Sequence, residues 1–145
     1  MTFSAKFFDE LSNGELYEIL RSRAEVFFLE QGIVCQDMDG VDRFSLHCFL
    51  SEGERVTAYL RAFYAKDDPE TVTVGRVLTL RHGEGFGRLL MERSMEAIAD
   101  KLPCKRLFLH AQQPVIGFYE RFGFRVISDV FLEENIPHVE MERAF

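Results

Sequence analysis

Residues 71–100 read TVTVGRVLTLRHGEGFGRLLMERSMEAIAD and decide the fold. The first ten residues are rich in Val, Thr and Leu and contain no proline, which predicts a buried strand. The last thirteen residues, 88–100, have the apolar periodicity of an amphipathic helix. Gly83, Gly85 and Gly87 lie between the two and alternate with other residues. The stretch therefore predicts a strand, a glycine-rich turn and a helix in direct succession.

The glycine-rich turn predicts an anion site. A helix N-terminus carries about half a positive charge, and closely spaced glycines let backbone N–H groups converge on one spot. A nucleotide-cleaving Walker loop needs Gly-Lys-Ser/Thr, whereas Gly87 is followed by Arg88. A dinucleotide fingerprint counted from Gly83 would need glycine at Arg88. The pattern G-x-G-x-G suits the binding of a pyrophosphate without its cleavage; the alternative is a tight strand–helix connection.

Composition excludes several classes of protein. The 145 residues, 47% apolar and 28% charged, predict one globular domain over residues 1–145. The net charge of −7 and the absence of a Lys/Arg run argue against a nucleic-acid partner. No apolar run is long enough for a membrane span, and the first ten residues lack the plan of a signal peptide. Three cysteines without a C-x-x-C pair fit a reduced, cytoplasmic setting.

The rest of the chain predicts an α+β fold with a mixed sheet of about seven strands and three longer helices. The predicted strands span residues 3–8, 45–51, 55–65, 71–80, 106–111, 124–128 and 139–145. The predicted helices span residues 14–29, 88–100 and 114–123. The second and third strands form a hairpin that turns at residues 52–54.

The first helix leads into a loop rich in carboxylates. Its predicted apolar stripe is Leu16, Ile19, Leu20, Ala24, Phe27 and Phe28. Arg23 falls on this stripe and has two interpretations: its stem covers apolar surface while its head meets an acid, or it ties the helix to the loop. The loop, residues 30–43, is no EF-hand, because Gly40 is only fourth from Asp37. It is either a solvated turn or a loop that lines a cationic substrate.

Together these segments resemble the GNAT N-acetyltransferase superfamily. Its members carry a strand, then R-G-x-G-x-G/A, then a helix, and later an N-x-x-A-x-x-F-Y-x-x-x-G-F helix. Residues 112–124 read QQPVIGFYERFGF and keep F-Y-x-x-x-G-F, with Gln112 for Asn and Val115 for Ala.

More closely, the chain resembles the ElaA-like branch of that superfamily. The shared segments are R-x-x-V-F-x-x-E-Q at 23–31, Q-D-x-D-G-x-D at 36–42, A-Q at 111–112 and I-P-H at 136–138. The similarity runs from about residue 16 to residue 143 in the same order. One departure lies at the glycine loop, where His82 replaces the usual Arg and the preceding segment is about two residues shorter.

The resemblance implies acetyl-CoA as co-substrate and a GNAT-type, largely antiparallel sheet flanked by helices. The glycine loop would hold the pyrophosphate, and residues 77–80 would lie along the pantetheine and lend an N–H to the acetyl carbonyl. The implied cofactor-binding residues are Val77, Leu78, Thr79, Leu80, His82, Gly83, Gly85, Phe86, Gly87, Arg88, Gln112 and Tyr119.

The resemblance and general acyl-transfer chemistry together suggest the reacting groups. Tyr119 matches the superfamily's F-Y tyrosine and is a reasonable proton donor to a leaving thiolate. Its alternative role is an ordinary core tyrosine. Glu30 and His138 are the leading candidates for the general base. The predicted substrate-binding residues are Gln31, Asp39, His47 and His110. The histidine spacing predicts no metal site, and no cysteine has the setting of a nucleophile, which favours direct transfer in a ternary complex.

Three functions follow as hypotheses. The first is an acetyl-CoA-dependent N-acetyltransferase that acts on a small amine or an exposed amino group; the superfamily also suggests a homodimer. The second is a non-catalytic acyl-CoA-binding module, motivated by His82. A purely structural domain would leave the three glycines and Tyr119 without a role.

Overall fold

A computed structural model describes residues 1–145 and has one sheet of eight strands. The sheet order is β1-β2-β3-β4-β5-β8-β6, with β7 beside β8, and every pairing is antiparallel except β4 with β5. The strands are β1 (Thr2–Phe7), β2 (Leu46–Glu52), β3 (Arg55–Ala65), β4 (Asp68–Thr79), β5 (Arg106–Gln112), β6 (Arg125–Val126), β7 (Phe131–Glu133) and β8 (Ile136–Ala144).

Three α-helices accompany the sheet: α1 (Asn13–Arg23), α2 (Phe86–Lys101) and α3 (Ile116–Glu120). A π-helical segment, Ala24–Glu30, continues α1 directly, and 3-10 turns lie at Phe8–Glu10, Val41–Phe44 and Gln113–Val115. The α+β class and the mixed, largely antiparallel sheet are confirmed. No helix is long and apolar enough to cross a membrane.

The strand count is one higher than predicted, because β7 escaped the sequence analysis. It has three residues and is followed by Glu134 and Asn135, which both adopt left-handed backbone conformations in the turn to β8. The turn expected at residues 135–137 therefore lies one residue earlier, and Ile136 already belongs to β8. A strand this short leaves no alternation for a sequence pattern to detect.

The sheet separates two cores. The larger lies against α2 and α3 and includes Leu60, Val74, Leu90, Leu109 and Met141. The smaller lies against α1 and the π-helical segment and consists of Ile19, Val26, Phe49, Val56, Tyr59 and Leu78.

The first helix begins as predicted but buries a different stripe. The Ser12 hydroxyl accepts a hydrogen bond from the Glu15 N–H at 3.0 Å, and the Glu15 carboxylate accepts from the Ser12 N–H at 2.9 Å. Ala24 and Phe28 are exposed, whereas Ser22 and Arg23 are buried. The wider π-helical turn after Arg23 shifts the periodicity, so the regular helical stripe drawn from the sequence was wrong there.

Candidate active site

A cleft opens in the sheet where β4 and β5 separate. The two strands pair in parallel over only four positions, from Thr71 with Arg106 to Val74 with Leu109. Beyond Val74, β4 pairs with β3 alone and β5 pairs with β8 alone. The facing edges of the two strands therefore have no strand partner beyond these positions, as an extended ligand would require.

Backbone N–H groups of β4 point into this cleft. The Leu80 N–H donates to the Thr57 carbonyl on β3 at 2.8 Å. Because successive residues of an antiparallel strand direct their N–H groups to opposite sides, Val77 and Thr79 direct theirs away from β3 and towards β5. The segment predicted to lie along the pantetheine thus has two backbone donors that face the cleft.

The glycine loop closes one end of the cleft. Gly83 and Gly85 have φ of 76° and 79°, a left-handed conformation that a side chain disfavours. Gly85 precedes the first residue of α2, and no side chain caps that helix end. The first N–H groups of α2 therefore remain available to an anion.

Gly87 has a different task. A methyl group at this position would lie 3.3 Å from the Phe118 ring and 3.7 Å from the Thr79 methyl group. The absence of a side chain lets α2, α3 and the end of β4 meet closely. This contact also fixes the position of α3, which carries Tyr119.

Tyr119 is 6% exposed and packs edge-to-face against Phe118 and Phe124, at ring-centroid distances of 5.2 Å and 5.9 Å. Burial raises the pKa of its phenol well above the usual value, and no protein group offsets that effect. The phenol is therefore neutral at physiological pH, and its hydroxyl has no hydrogen-bond partner in the chain.

The end of the π-helical segment bridges the mouth of the cleft. Glu30 Oε1 lies 3.2 Å from His82 Nε2 in the loop after β4. The neighbouring Gln31 accepts a hydrogen bond from the Gln112 amide at the end of β5, at 3.0 Å. Four residues predicted from the sequence as site residues are thus brought together: two from the bridging segment, one from the loop after β4 and one from the end of β5.

A second group of side chains lies beyond β5. The register pairs Gln112 with His138 and His110 with Glu140, which places all four on one face of the sheet. His138 Nδ1 lies 2.7 Å from the Ile136 carbonyl oxygen. Because a carbonyl only accepts, Nδ1 carries a proton.

Glu133 on β7 connects the two histidines. Its Oε1 lies 2.8 Å from His110 Nδ1, and its Oε2 lies 3.5 Å from His138 Nε2. Glu133 was not among the predicted site residues, because the short strand that carries it was not predicted. The charged residues beside the I-P-H motif were the one signal that pointed to it.

Two of the predicted substrate contacts are bonded within the chain. His47 is completely buried, with Nε2 donating to the Asp42 carbonyl at 2.8 Å and Nδ1 accepting from the Tyr59 hydroxyl at 2.7 Å. The Asp39 carboxylate is engaged by Arg61 at 2.7 Å, and the hydrogen bond from Arg61 lowers its pKa far below the usual range. The structure therefore corrects the assignment of His47, which a substrate cannot reach, whereas the assignment of the partly exposed Asp39 stays a prediction.

Arg23 is also fully buried, so its head does not reach solvent. Its Nε donates to Asp37 at 3.0 Å and its Nη1 donates to Asp42 at 2.7 Å. Asp42 also accepts from Arg61 at 3.0 Å. Although burial alone would raise the pKa of Asp42, the hydrogen bonds from the two arginines hold it below its usual value. The interpretation of Arg23 as a tie between helix and loop is correct.

These geometries agree with comparisons to known proteins. Residues 49–145 match the family model described as the acetyltransferase (GNAT) domain. The chain therefore belongs to the GNAT acetyltransferase family, whose fold supports acyl transfer from acyl-CoA.

Within that family the chain falls in the ElaA-like branch. It is 36% identical to protein ElaA of Escherichia coli over 138 residues, which cover 92% of this chain and 90% of the relative. The crystal structure of E. coli ElaA matches with a TM-score of 0.91 at 34% identity, covering 98% of both chains. An acyl-CoA N-acyltransferase from Pseudomonas aeruginosa also matches at 0.91, with 33% identity over 99% of this chain and 100% of that one.

Proposed function

We propose that this protein is an acetyl-CoA-dependent N-acetyltransferase that passes an acetyl group directly to a primary amine in a ternary complex. Residues 1–145 would act as one catalytic domain. The observation that carries the proposal is the cleft between β4 and β5, with two backbone donors on one wall and an uncapped helix N-terminus at its end. Family membership supports the acyl-CoA class of donor.

The co-substrate would lie along β4. The N–H groups of Gly85, Phe86, Gly87 and Arg88 would hold the pyrophosphate, and the side chain of Arg88 adds a positive charge nearby. His82 stands where the family has Arg and contacts Glu30. In this proposal it contributes less to phosphate binding than the backbone does.

Of the two N–H groups that face the cleft, on Val77 and Thr79, one would donate to the acetyl carbonyl and the other to the pantetheine arm, because they lie about 7 Å apart along the strand. A fixed donor aimed at the oxygen stabilises the negative charge that develops when the amine attacks the carbonyl carbon. The new C–N bond forms at that carbon, the C–S bond then breaks, and the thiolate leaves as CoA. The remaining steps are two proton transfers.

His138 is the better placed of the two candidate bases. In the neutral tautomer with the proton on Nδ1, Nε2 would take the amine proton, and Glu133 lies beside it to stabilise the imidazolium that forms. Glu30 is the second candidate, at the mouth of the cleft and exposed to solvent. Gln31 and His110 flank these groups and would contact the acceptor.

Tyr119 would protonate the departing sulfur. Its hydroxyl is free of other partners, and its raised pKa keeps the proton in place until a thiolate forms beside it. A buried phenol is a weak acid, so its contribution is greatest where the same dry surroundings also raise the basicity of the thiolate.

The second candidate function is a non-catalytic acyl-CoA-binding module. The observation that favours it is His82, which replaces the arginine of the glycine loop and is bonded to Glu30 rather than directed at the helix end. This candidate predicts binding of acetyl-CoA without release of free CoA for any amine.

Thermal melting with and without millimolar acetyl-CoA tests the binding, and a thiol-detection assay with a panel of amines tests turnover. Acetyl-CoA at about 100 times its Kd adds roughly 2.7 kcal/mol, which raises Tm by several degrees. A shift with amine-dependent CoA release supports the enzyme. A shift without release supports the binding module, and no shift contradicts both.

A further inference from the structure

The bulge in β4 is the structural origin of the cleft. Tyr59 pairs with Leu78 and Arg61 pairs with Gly75, so three steps along β4 match two along β3. The extra residue is accommodated at Arg76, whose φ of 53° is left-handed. The parallel pairing of β4 with β5 ends two residues earlier, at Val74.

The bulge changes the side of the sheet on which each following residue lies. Val72 and Val74 belong to the larger core, whereas Leu78, which regular alternation would also place there, belongs to the smaller one. The same one-residue shift decides that Val77 and Thr79 direct their N–H groups towards β5. Without the bulge, the two donors of the cleft would change sides.

A left-handed arginine persists only when its surroundings hold it. Arg76 Nε donates to Asp37 Oδ1 at 2.9 Å, and Arg76 Nη2 donates to the Asp37 carbonyl at 3.2 Å. Asp37 in turn is fixed by the buried Arg23, through Oδ2 at 3.0 Å and the carbonyl at 2.9 Å. One aspartate thus links the bulge to the end of α1.

We infer that Asp37 and Arg76 are positioning residues: their ion pair holds the β4 bulge and thereby aims the Val77 and Thr79 N–H groups at the acyl end of the co-substrate. Neither side chain needs to touch the ligand. The inference rests on the proposed function, since it assigns these residues an effect on acetyl-CoA.

The test uses two ligands that differ at one end. Acetyl-CoA reaches both the glycine loop and the bulge, whereas 3′-phosphoadenosine 5′-diphosphate carries the pyrophosphate and lacks the pantetheine arm. Calorimetry measures both affinities for the wild type and for Arg76→Ala, Arg76→Gly and Asp37→Asn. Arg125→Ala is the matched control. It also removes an arginine–carboxylate pair, since Arg125 on β6 donates to Glu142 at 2.6 Å, but β6 lies at the far edge of the sheet from the bulge.

We expect Arg76→Ala and Asp37→Asn to lower the affinity for acetyl-CoA about 10-fold and to leave the affinity for 3′-phosphoadenosine 5′-diphosphate unchanged. Misplacement of the acetyl group alone should lower kcat about 10- to 100-fold. Arg76→Gly loses less than Arg76→Ala, because glycine tolerates the left-handed backbone. KM for the amine stays constant. The ratio of the two ligand affinities, measured on the same sample, also controls for folding, because unfolded protein would bind neither ligand.

Two outcomes would overturn the inference: an unchanged acetyl-CoA affinity and kcat in Arg76→Ala, or an equal loss of affinity for both ligands. Neither outcome would contradict the proposed activity as long as the wild type turns over. A loss of the same size in Arg125→Ala would overturn the inference too. A wild type that binds acetyl-CoA but releases no CoA with any amine contradicts the catalytic proposal alone, and the affinity ratios still test the bulge.

Discussion

Two polar loops flank the cleft, and they use their polar groups in opposite ways. In the carboxylate loop, residues 31–43, Asp37, Asp39 and Asp42 each bind an arginine from another element. In the glycine loop, residues 81–87, the space around Gly83 and Gly85 is empty and no side chain caps α2. Groups already satisfied hold the fold together, whereas donors left unpaired at a fixed place are available to a ligand.

The largest effect expected from this contrast is on stability. Asp42→Ala removes the carboxylate shared by Arg23 and Arg61 and leaves buried charge without its partner, which costs about 3 kcal/mol or more. Chemical denaturation should show that loss, with Tm lower by roughly 10 °C. Arg125→Ala removes an exposed ion pair and should stay within about 0.5 kcal/mol. Equal losses in the two variants would contradict the distinction.

Substitution in the glycine loop should reduce ligand binding, in addition to the backbone strain that any side chain causes at a left-handed glycine. Gly85→Val places a side chain where anion-binding N–H groups converge and strains a φ of 79°; we expect acetyl-CoA affinity to fall about 100-fold. Gly53→Val is the matched control, because Gly53 has a φ of 59° and equally empty surroundings in the β2–β3 turn. Calorimetry that found the same affinity in both variants would remove the loop from the site.

Two buried tyrosines extend the same comparison. Tyr119→Phe deletes a hydroxyl that has no partner in the chain, so stability should barely change. Because that hydroxyl is the proposed acid, kcat should fall about 100-fold, while acetyl-CoA affinity barely changes. Tyr59→Phe deletes a hydroxyl bonded to His47 at 2.7 Å and should cost about 1–2 kcal/mol of stability. Steady-state kinetics with unchanged turnover in Tyr119→Phe would end its role as the acid.

The smallest effect concerns pH. Burial lowers the pKa of His47 below its ordinary value of 6.5, so the unfolded chain takes up a proton below that pH and the folded chain does not. The stability present above pH 6.5 is therefore lost as the pH falls, by at most about 1.4 kcal/mol per unit. His47→Gln should flatten the curve between pH 6.5 and pH 5. Denaturation midpoints that keep the wild-type slope would contradict this.

Two carboxylates with lowered pKa values make the stability depend on pH in a second, more acidic range. This dependence is the same in the wild type and in His47→Gln. The pKa values of Asp39 and Asp42 lie below their ordinary value of 3.8, so their contribution is present above about pH 4 and is lost as the pH falls further. His47→Gln should leave this acid limb unchanged, which makes it an internal reference.

Local patterns predicted most of the fold. The hairpin of β2 and β3 and the strand–glycine–helix unit appeared nearly at their observed bounds, because alternation and glycine spacing are properties of adjacent residues. The motif around Tyr119 likewise located α3. The family resemblance supplied the topology, which periodicity alone does not determine.

The features that escaped the sequence depend on distant partners. The left-handed Arg76 is stabilised by Asp37, 39 residues away along the chain, and no spacing rule links the two. The assignment of His47 to the substrate failed for the same reason: the Tyr59 hydroxyl that occupies its Nδ1 lies on the next strand. Polarity alone does not tell a bonded group from a free one.

The four-residue ladder between β4 and β5 has a consequence for how the molecule unfolds. It is the only strand pairing between β1–β4 and β5–β8, and α2 packs on the first set whereas α3 packs on β5 and β6. The two halves of the sheet thus share only a short backbone ladder, while the larger core continues across both. A linear ligand that is hydrogen-bonded to both β4 and β5 would lengthen that ladder. Its occupancy would slow amide hydrogen exchange in the β5–β8 half, including at residues that it never touches.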